Sequence, residues 1–230
     1  MTQQKHTLTD FEEALKALQS NALLMASLAT RSLENALQGL RERNDDLCLQ
    51  AIADDEEIDQ LEMQMDKDGV ELLIRFQPVA SDLRRVVSAM KLSPNLERIA
   101  DESVSIARKA RKLSRHPALA EVELITPLGT HAKEMLRDGI DAYLREDVEL
   151  GRGLKERDKR LDQMNAAAAR NCLARIGHDP EQLRSYLNLM FIAGHLERIG
   201  DHATNIGEDA VYAAVAEDIR HQPYVPGQEP

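Results

Sequence analysis

Glu97 and Asp101 stand four residues apart in Leu96-Glu-Arg-Ile-Ala-Asp101, and Glu197 and Asp201 repeat that spacing in Leu196-Glu-Arg-Ile-Gly-Asp201. The two hexapeptides begin one hundred residues apart and differ only at Ala100 against Gly200. Carboxylates four apart share one helix face, where like charges oppose each other by roughly 0.2–0.5 kcal/mol. A single acidic pair carries little information, since chance places about seven in a chain with this acidic content. Register carries more. Beyond Asp201 the polar stripe continues through Asn205 and Glu208, beside an apolar stripe of Leu196, Ile199, Ala203, Ile206 and Ala210. The acids therefore edge a surface suited to core packing.

Each pair has an upstream counterpart. Asp55, Asp59, Glu62 and Asp66 form an earlier acidic stripe, and Asp158 and Asp162 form another. Asp59 and Glu97 are equidistant from Pro78, as are Asp55 and Asp101. In the second half, Asp162 with Glu197 and Asp158 with Asp201 both centre between Asp179 and Pro180. If each helix pair folds back at its proline, four carboxylates meet at one level in each half. Such a group repels itself strongly beside apolar neighbours. The acids can splay into water as a solvated face, protonate or pair with Arg98 and Arg198, or bind cations. An all-oxygen set suits Mg²⁺, Mn²⁺ or Ca²⁺, and clustered bridging carboxylates also suit iron or zinc.

The halves are unequal. Glu102, Ser105 and Arg108 stand where the second half has His202, Asn205 and Glu208. Arg108 would offset part of the first acidic set, so the second is expected to hold more metal. Of His195 and His202, the latter is the nearer candidate for touching a ligand. No Glu-x-x-His, Gly-rich phosphate loop, nucleophile elbow or CxxC occurs, so no catalytic constellation accompanies the acids.

The elements that must position these residues are helical. Aromatics make up 3% of the chain, Trp is absent, and strong helix formers dominate. Apolar periodicity predicts helices over about 9–43, with Thr9 as N-cap and Asn44 closing it, then 45–76, 81–114, 126–146, 148–176 and 181–216. Thr126-Pro127 reads as an N-cap followed by proline at the first helical position. Pro94, where the second half has Gly194, is expected to kink the third helix. Leu83-Arg84, Met90 and Leu96 recur as Leu183-Arg184, Met190 and Leu196. The expected fold is therefore all-α: two tandem three-helix bundles of six long helices, over 1–117 and 118–216, with a flexible tail over 217–230.

The formal net charge of −11 argues against nucleic acid as a partner. The one basic cluster is Arg108, Lys109, Arg111, Lys112 and Arg115. It falls at an expected helix C-terminus, where cations complement the dipole, and otherwise offers a face to an acidic partner. Cys48 and Cys172 read as two buried thiols of a reducing compartment. No apolar run suits a signal peptide or membrane span, so the expected location is the cytoplasm.

Gln77-Pro-Val-Ala-Ser-Asp-Leu-Arg84, Leu96-Glu-Arg-Ile-Ala-Asp101 and Leu196-Glu-Arg-Ile-Gly-Asp-His-Ala-Thr-Asn-Ile206 resemble the PhoU family of bacterial phosphate-transport accessory and signalling proteins. The resemblance runs from about residue 9 to 216. It implies multinuclear metal ions, iron or zinc first, on Asp55, Asp59, Glu97 and Asp101 and on Asp158, Asp162, Glu197 and Asp201. Asn205 and Glu208 match the family extension in the second half only, whereas Ser105 and Arg108 depart from it. It further implies a non-enzymatic negative regulator of phosphate uptake and phosphate-starvation signalling. Such a regulator is an adaptor between the phosphate ABC transporter ATPase and a phosphate-sensing histidine kinase, and meets the membrane through those partners only. A homodimer is allowed for, an oligomeric state the residues leave open. The alternatives are a metal-dependent phosphoesterase and a purely structural helical scaffold.

Overall fold

The computed structural model describes residues 2–220, with side chains from residue 9 onward. Among the described residues every regular element is helical: α1 (Thr2–Glu42), α2 (Asp45–Ala53), α3 (Asp55–Phe76), α4 (Ala80–Leu113), α5 (Ile125–Arg145), α6 (Val148–His178) and α7 (Leu183–Val215). Short 3₁₀ turns at Ala120–Leu124 and Pro180–Gln182 lead into α5 and α7. The expected all-α tandem of three-helix bundles is thus present. α1, α2–α3 and α4 form one bundle, α5, α6 and α7 the other, and α4 packs along α7 to join them. One apolar core runs through both, from Phe11 and Leu15 to Ala203 and Ile206.

Several helix ends differ from the periodicity reading. Thr9 is not an N-cap, because α1 begins at Thr2. Asn44 opens the next helix rather than merely closing the first: its Oδ1 accepts from the Asp46 and Leu47 backbone amides at 3.0 and 3.3 Å. Thr126-Pro127 does not cap α5, which starts at Ile125 out of the preceding 3₁₀ turn. Pro127 then sits in the first turn, where a missing N–H costs nothing.

The expected second helix is divided at Asp54. Two side chains of α1 account for this. Ser32 Oγ donates to Ala51 O at 3.1 Å, the carbonyl that a continuous helix would offer to residue 55. Arg31 clamps the Asp54 carboxylate through two hydrogen bonds at 2.8 and 3.0 Å. The restart puts Asp55, Glu56 and Glu57 in the first turn of α3, where the helix dipole favours acids. α4 runs on through Pro94. Asn95 Nδ2 donates to Lys91 O at 3.1 Å, a side-chain donor in a turn where proline supplies none.

Past α7, Ala216 takes a left-handed conformation (φ 61°). Lys155 Nζ then donates to the carbonyls of Ile219 and Arg220 at 3.2 and 3.1 Å, and Ile219 is buried. The remainder of the expected tail, from His221, lies outside the described residues.

Candidate metal centre: two acidic seams

The first seam lies between α3 and α4, which turn back on each other after Gln77 in its left-handed conformation (φ 47°). Asp55 of α3 interacts with Asp101 of α4, and Asp59 with Glu97, the pairs that the shared distance from Pro78 required. Glu97 is held among them with its side chain 16% exposed, against 49% for Asp101. Burial, then the Asp101 charge, pushes Glu97 up to about 7, with Glu62 and Asp59 adding to the rise. Arg98 opposes it, with Nε 3.3 Å from Glu97 and NH1 3.5 Å from Asp101. Asp55 is raised by burial and by Asp59, and Arg108 counters from the α4 side. Glu62 belongs to the seam too: burial, Asp66 and Asp59 raise it. The i+7 spacing from Asp55 marked it, although the four-carboxylate pattern left it out.

The second seam lies between α6 and α7. Asp158 is pushed up to about 7 by burial, then by Asp201, Asp162, Glu197 and Glu208. Its Oδ1 is buried with no hydrogen-bond partner. Burial and the neighbouring Asp201 and Asp162 raise Glu197, and burial with Asp162 raises Asp201. Gly200, the one residue at which the two hexapeptides differ, sits where α6 presses on α7. A Cβ there would come 2.4 Å from Leu161 Cδ2 and 3.3 Å from Asp158 Oδ1. Glu208 is at the Asp158 end of the seam, with Lys155 Nζ 3.8 Å away.

Two sequence candidates point elsewhere. The exposed Asn205 turns its amide toward α4, donating to Asn95 Oδ1 at 3.4 Å. His202 hydrogen-bonds through Nδ1 to the same Asn95 oxygen at 3.1 Å, and burial lowers its affinity for a proton. The joint between bundles also contains groups that spacing alone did not find. His195 Nδ1 meets Glu102 Oε2, and Arg198 NH1 lies 3.1 Å from both Glu102 oxygens. Glu102 is held below the usual carboxylate range by His195 and Arg198, against the burial that opposes ionisation.

Among the described residues no three His, Cys, Asp or Glu side chains converge closely enough to hold one ion. The chemistry of each seam still fits a cation. Its donors are acceptor-only carboxylates on two facing helices, they raise one another's proton affinity, and Asp158 Oδ1 is a buried acceptor without a donor.

Comparison with known proteins places this geometry. The PhoU domain model matches the chain twice, over residues 22–110 and 125–210. A phosphate-specific transport system accessory protein PhoU homolog of Pseudomonas putida is 34% identical over 218 residues, covering 94% of this chain and 85% of its own. The homolog from Zymomonas mobilis is 34% identical over 214 residues, covering 93% and 90%. The crystal structure of PhoU from Pseudomonas aeruginosa superposes with a TM-score of 0.87 at 31% identity, over 90% of this chain and 100% of that one. That of the phosphate transport system regulatory protein PhoU from Streptococcus pneumoniae gives 0.80 at 26% identity, over 90% and 98%. With both repeats matched and nearly the whole length shared with these relatives, the chain belongs to the PhoU family.

Proposed function

We propose that this protein is a non-enzymatic regulator of phosphate uptake and phosphate-starvation signalling, and that its two acidic seams bind metal ions. The observation that carries the reading is the antiparallel meeting of Asp-x-x-x-Asp with Glu-x-x-x-Asp in both halves, within a chain alike over most of its length to phosphate-transport accessory proteins. Asp55, Asp59, Glu97 and Asp101 would hold the first ions, and Asp158, Asp162, Glu197 and Asp201 the second, with Glu208 at the edge. Bound cations would supply positive charge that removes the repulsion and ties the two helices of each hairpin together. The outer faces of α3, α4, α6 and α7 would then have a fixed shape for a partner. We assign that partner surface to the transporter ATPase and a sensor kinase, between which the protein acts as an adaptor in the cytoplasm.

Two experiments test this. Elemental analysis of protein purified without chelator should find iron, zinc or manganese in the wild type and a loss in Glu197→Ala with Asp201→Ala. In a strain lacking the gene, a phosphate-responsive reporter should be switched off in high phosphate by the wild type and escape control with that double variant. Metal-free wild type that still restores control would remove the seams from the mechanism.

A further inference from the structure

Apart from Arg108, which offsets Asp55 in the first seam, the basic cluster at the end of α4 lies outside both seams. From Ser105 to Arg115, in the last turns of α4 and just past its end, the sequence has five cations and no acid, in a chain whose net charge is −11. Arg111 is engaged by Asp45 at 3.4 Å. Arg108, Lys112 and Arg115 are exposed. Because α4 and α7 run antiparallel, this end of α4 lies beside the start of α7. There Lys109 Nζ stacks 4.4 Å above the Phe191 ring. Leu183, Leu187 and Phe191 recur every fourth residue on α7 and are 43%, 38% and 55% exposed. The result is a stripe of projecting apolar side chains beside a ridge of cations, where burial, then Lys112 and Arg198, disfavour the charge on Lys109.

The internal repeat supplies a comparison. At the opposite end of the same helix pair, Lys91 occupies the position of Phe191, and Asp209 that of Lys109. These two neutralise each other at 2.9 Å. Asp218 and Arg220 of the segment after α7 line a cavity there with Val87, Lys91 and Tyr212. One end of the α4–α7 pair is thus charge-paired, and its counterpart is cationic with exposed apolar residues.

We propose that the basic end of α4 and α7 docks directly on an anionic lipid surface, with Lys109, Lys112 and Arg115 on headgroup phosphates and Leu183, Leu187 and Phe191 at the interface. This goes beyond attachment through protein partners and does not depend on metal in the seams. Cations spread along a helix with single apolar side chains projecting between them match a sequence-independent charged layer. The acids of the first seam do not cancel the attraction: Lys112 lies roughly 16 Å of helix beyond Asp101, about two Debye lengths at physiological salt.

The test is flotation of the full chain with phosphatidylglycerol–phosphatidylcholine vesicles and with pure phosphatidylcholine vesicles, over a salt series. The wild type should float with the anionic vesicles alone, and less as salt rises. Lys109→Gln with Lys112→Gln should weaken binding roughly 10–30-fold, at about fivefold per cation. Phe191→Ser should weaken it by several-fold through lost apolar contact. Lys16→Gln with Lys67→Gln, two exposed lysines elsewhere, should leave it within about twofold. Lys112→Gln alone, at an exposed site, keeps the test open if the double variant melts early by circular dichroism. Equal loss in both double variants, or no anionic-vesicle binding by the wild type, overturns the proposal. Polyglutamate binding that needs Lys109 and Lys112, without vesicle binding, would overturn it in favour of an acidic polypeptide.

Discussion

Asn95 on α4 accepts a hydrogen bond from His202 on α7 at 3.1 Å, and one hundred residues on, His195 meets Glu102 in the same relation. The repeat therefore governs more than chain order. It sets α4 and α7 about an internal two-fold that passes near Arg98 and Arg198, and these two contacts across the joint occupy repeat-related positions. The two contacts differ in strength, because the Glu102 carboxylate also binds Arg198 and charge-assisted hydrogen bonds are the stronger kind.

A double-mutant cycle on His195→Ala and Glu102→Ala should show this directly. Both side chains are largely buried, at 12% and 15% exposure. Urea denaturation should give a coupling energy of about 1–2 kcal/mol. A cycle on Asn95→Ala and His202→Ala should give less, about 0.5–1 kcal/mol.

Stability should fall as pH rises through the seams' titration. Glu97 and Asp158 hold protons up to about 7 in the folded chain, whereas unfolded carboxyls titrate near about 4. Between those limits the folded state binds more protons than the unfolded, so ionising these groups works against the fold as pH increases. Asp45, Glu102 and Asp138, all lowered, act in the opposite sense at lower pH. The diagnostic quantity is the difference between wild type and Glu97→Gln with Asp158→Asn. In chelator, the variant should lose less Tm than the wild type between pH 5 and pH 8.

Metal should reverse that penalty. Binding to the folded state alone raises stability by about 2.7 kcal/mol at one hundred times Kd. Thermal melts with added Zn²⁺ or Mn²⁺ at pH 8 should rise for the wild type and rise less for Glu197→Ala with Asp201→Ala. Arg108 offsets Asp55 in the first seam, so anomalous diffraction should show higher occupancy in the second.

Two glycines of α6 should respond oppositely to one methyl group. A Cβ on Gly151 would meet the Gly207 carbonyl oxygen at 2.7 Å, a backbone atom of α7 that cannot swing away. Gly151→Ala should cost about 1–3 kcal/mol as overpacking. Gly153 has nothing within 4 Å of its Cβ position, and Gly153→Ala should stabilise by about 0.5–1 kcal/mol through helix propensity. Paired denaturant curves measure both.

Both thiols should resist thiol–disulfide exchange in the folded state. Cys48 and Cys172 are free and buried. Burial pushes Cys48 up to about 11, with the Asp45 charge adding to it. Ellman's reagent should report almost no thiolate until denaturant is added.

Much of this protein was legible before any coordinates. The apolar period, the doubled hexapeptide and the equal distances of Asp59 and Glu97 from Pro78 set the helices, the repeat and the four-carboxylate level of each seam. Those features are local, or hinge on a turn, and a helix face follows from spacing alone. Tertiary structure decided what depends on which faces meet. Asp54 breaks a continuous periodicity because Ser32 and Arg31 of another helix compete for its turn. Asn205 leaves the acidic stripe, and His202 turns to the same partner, because Asn95 lies across from them. The Lys109 and Phe191 stack joins residues that no sequence period relates. Side chains with more than one available partner are settled by proximity across the α4–α7 interface, and proximity between bundles is a property of packing that the chain's periodicity does not encode.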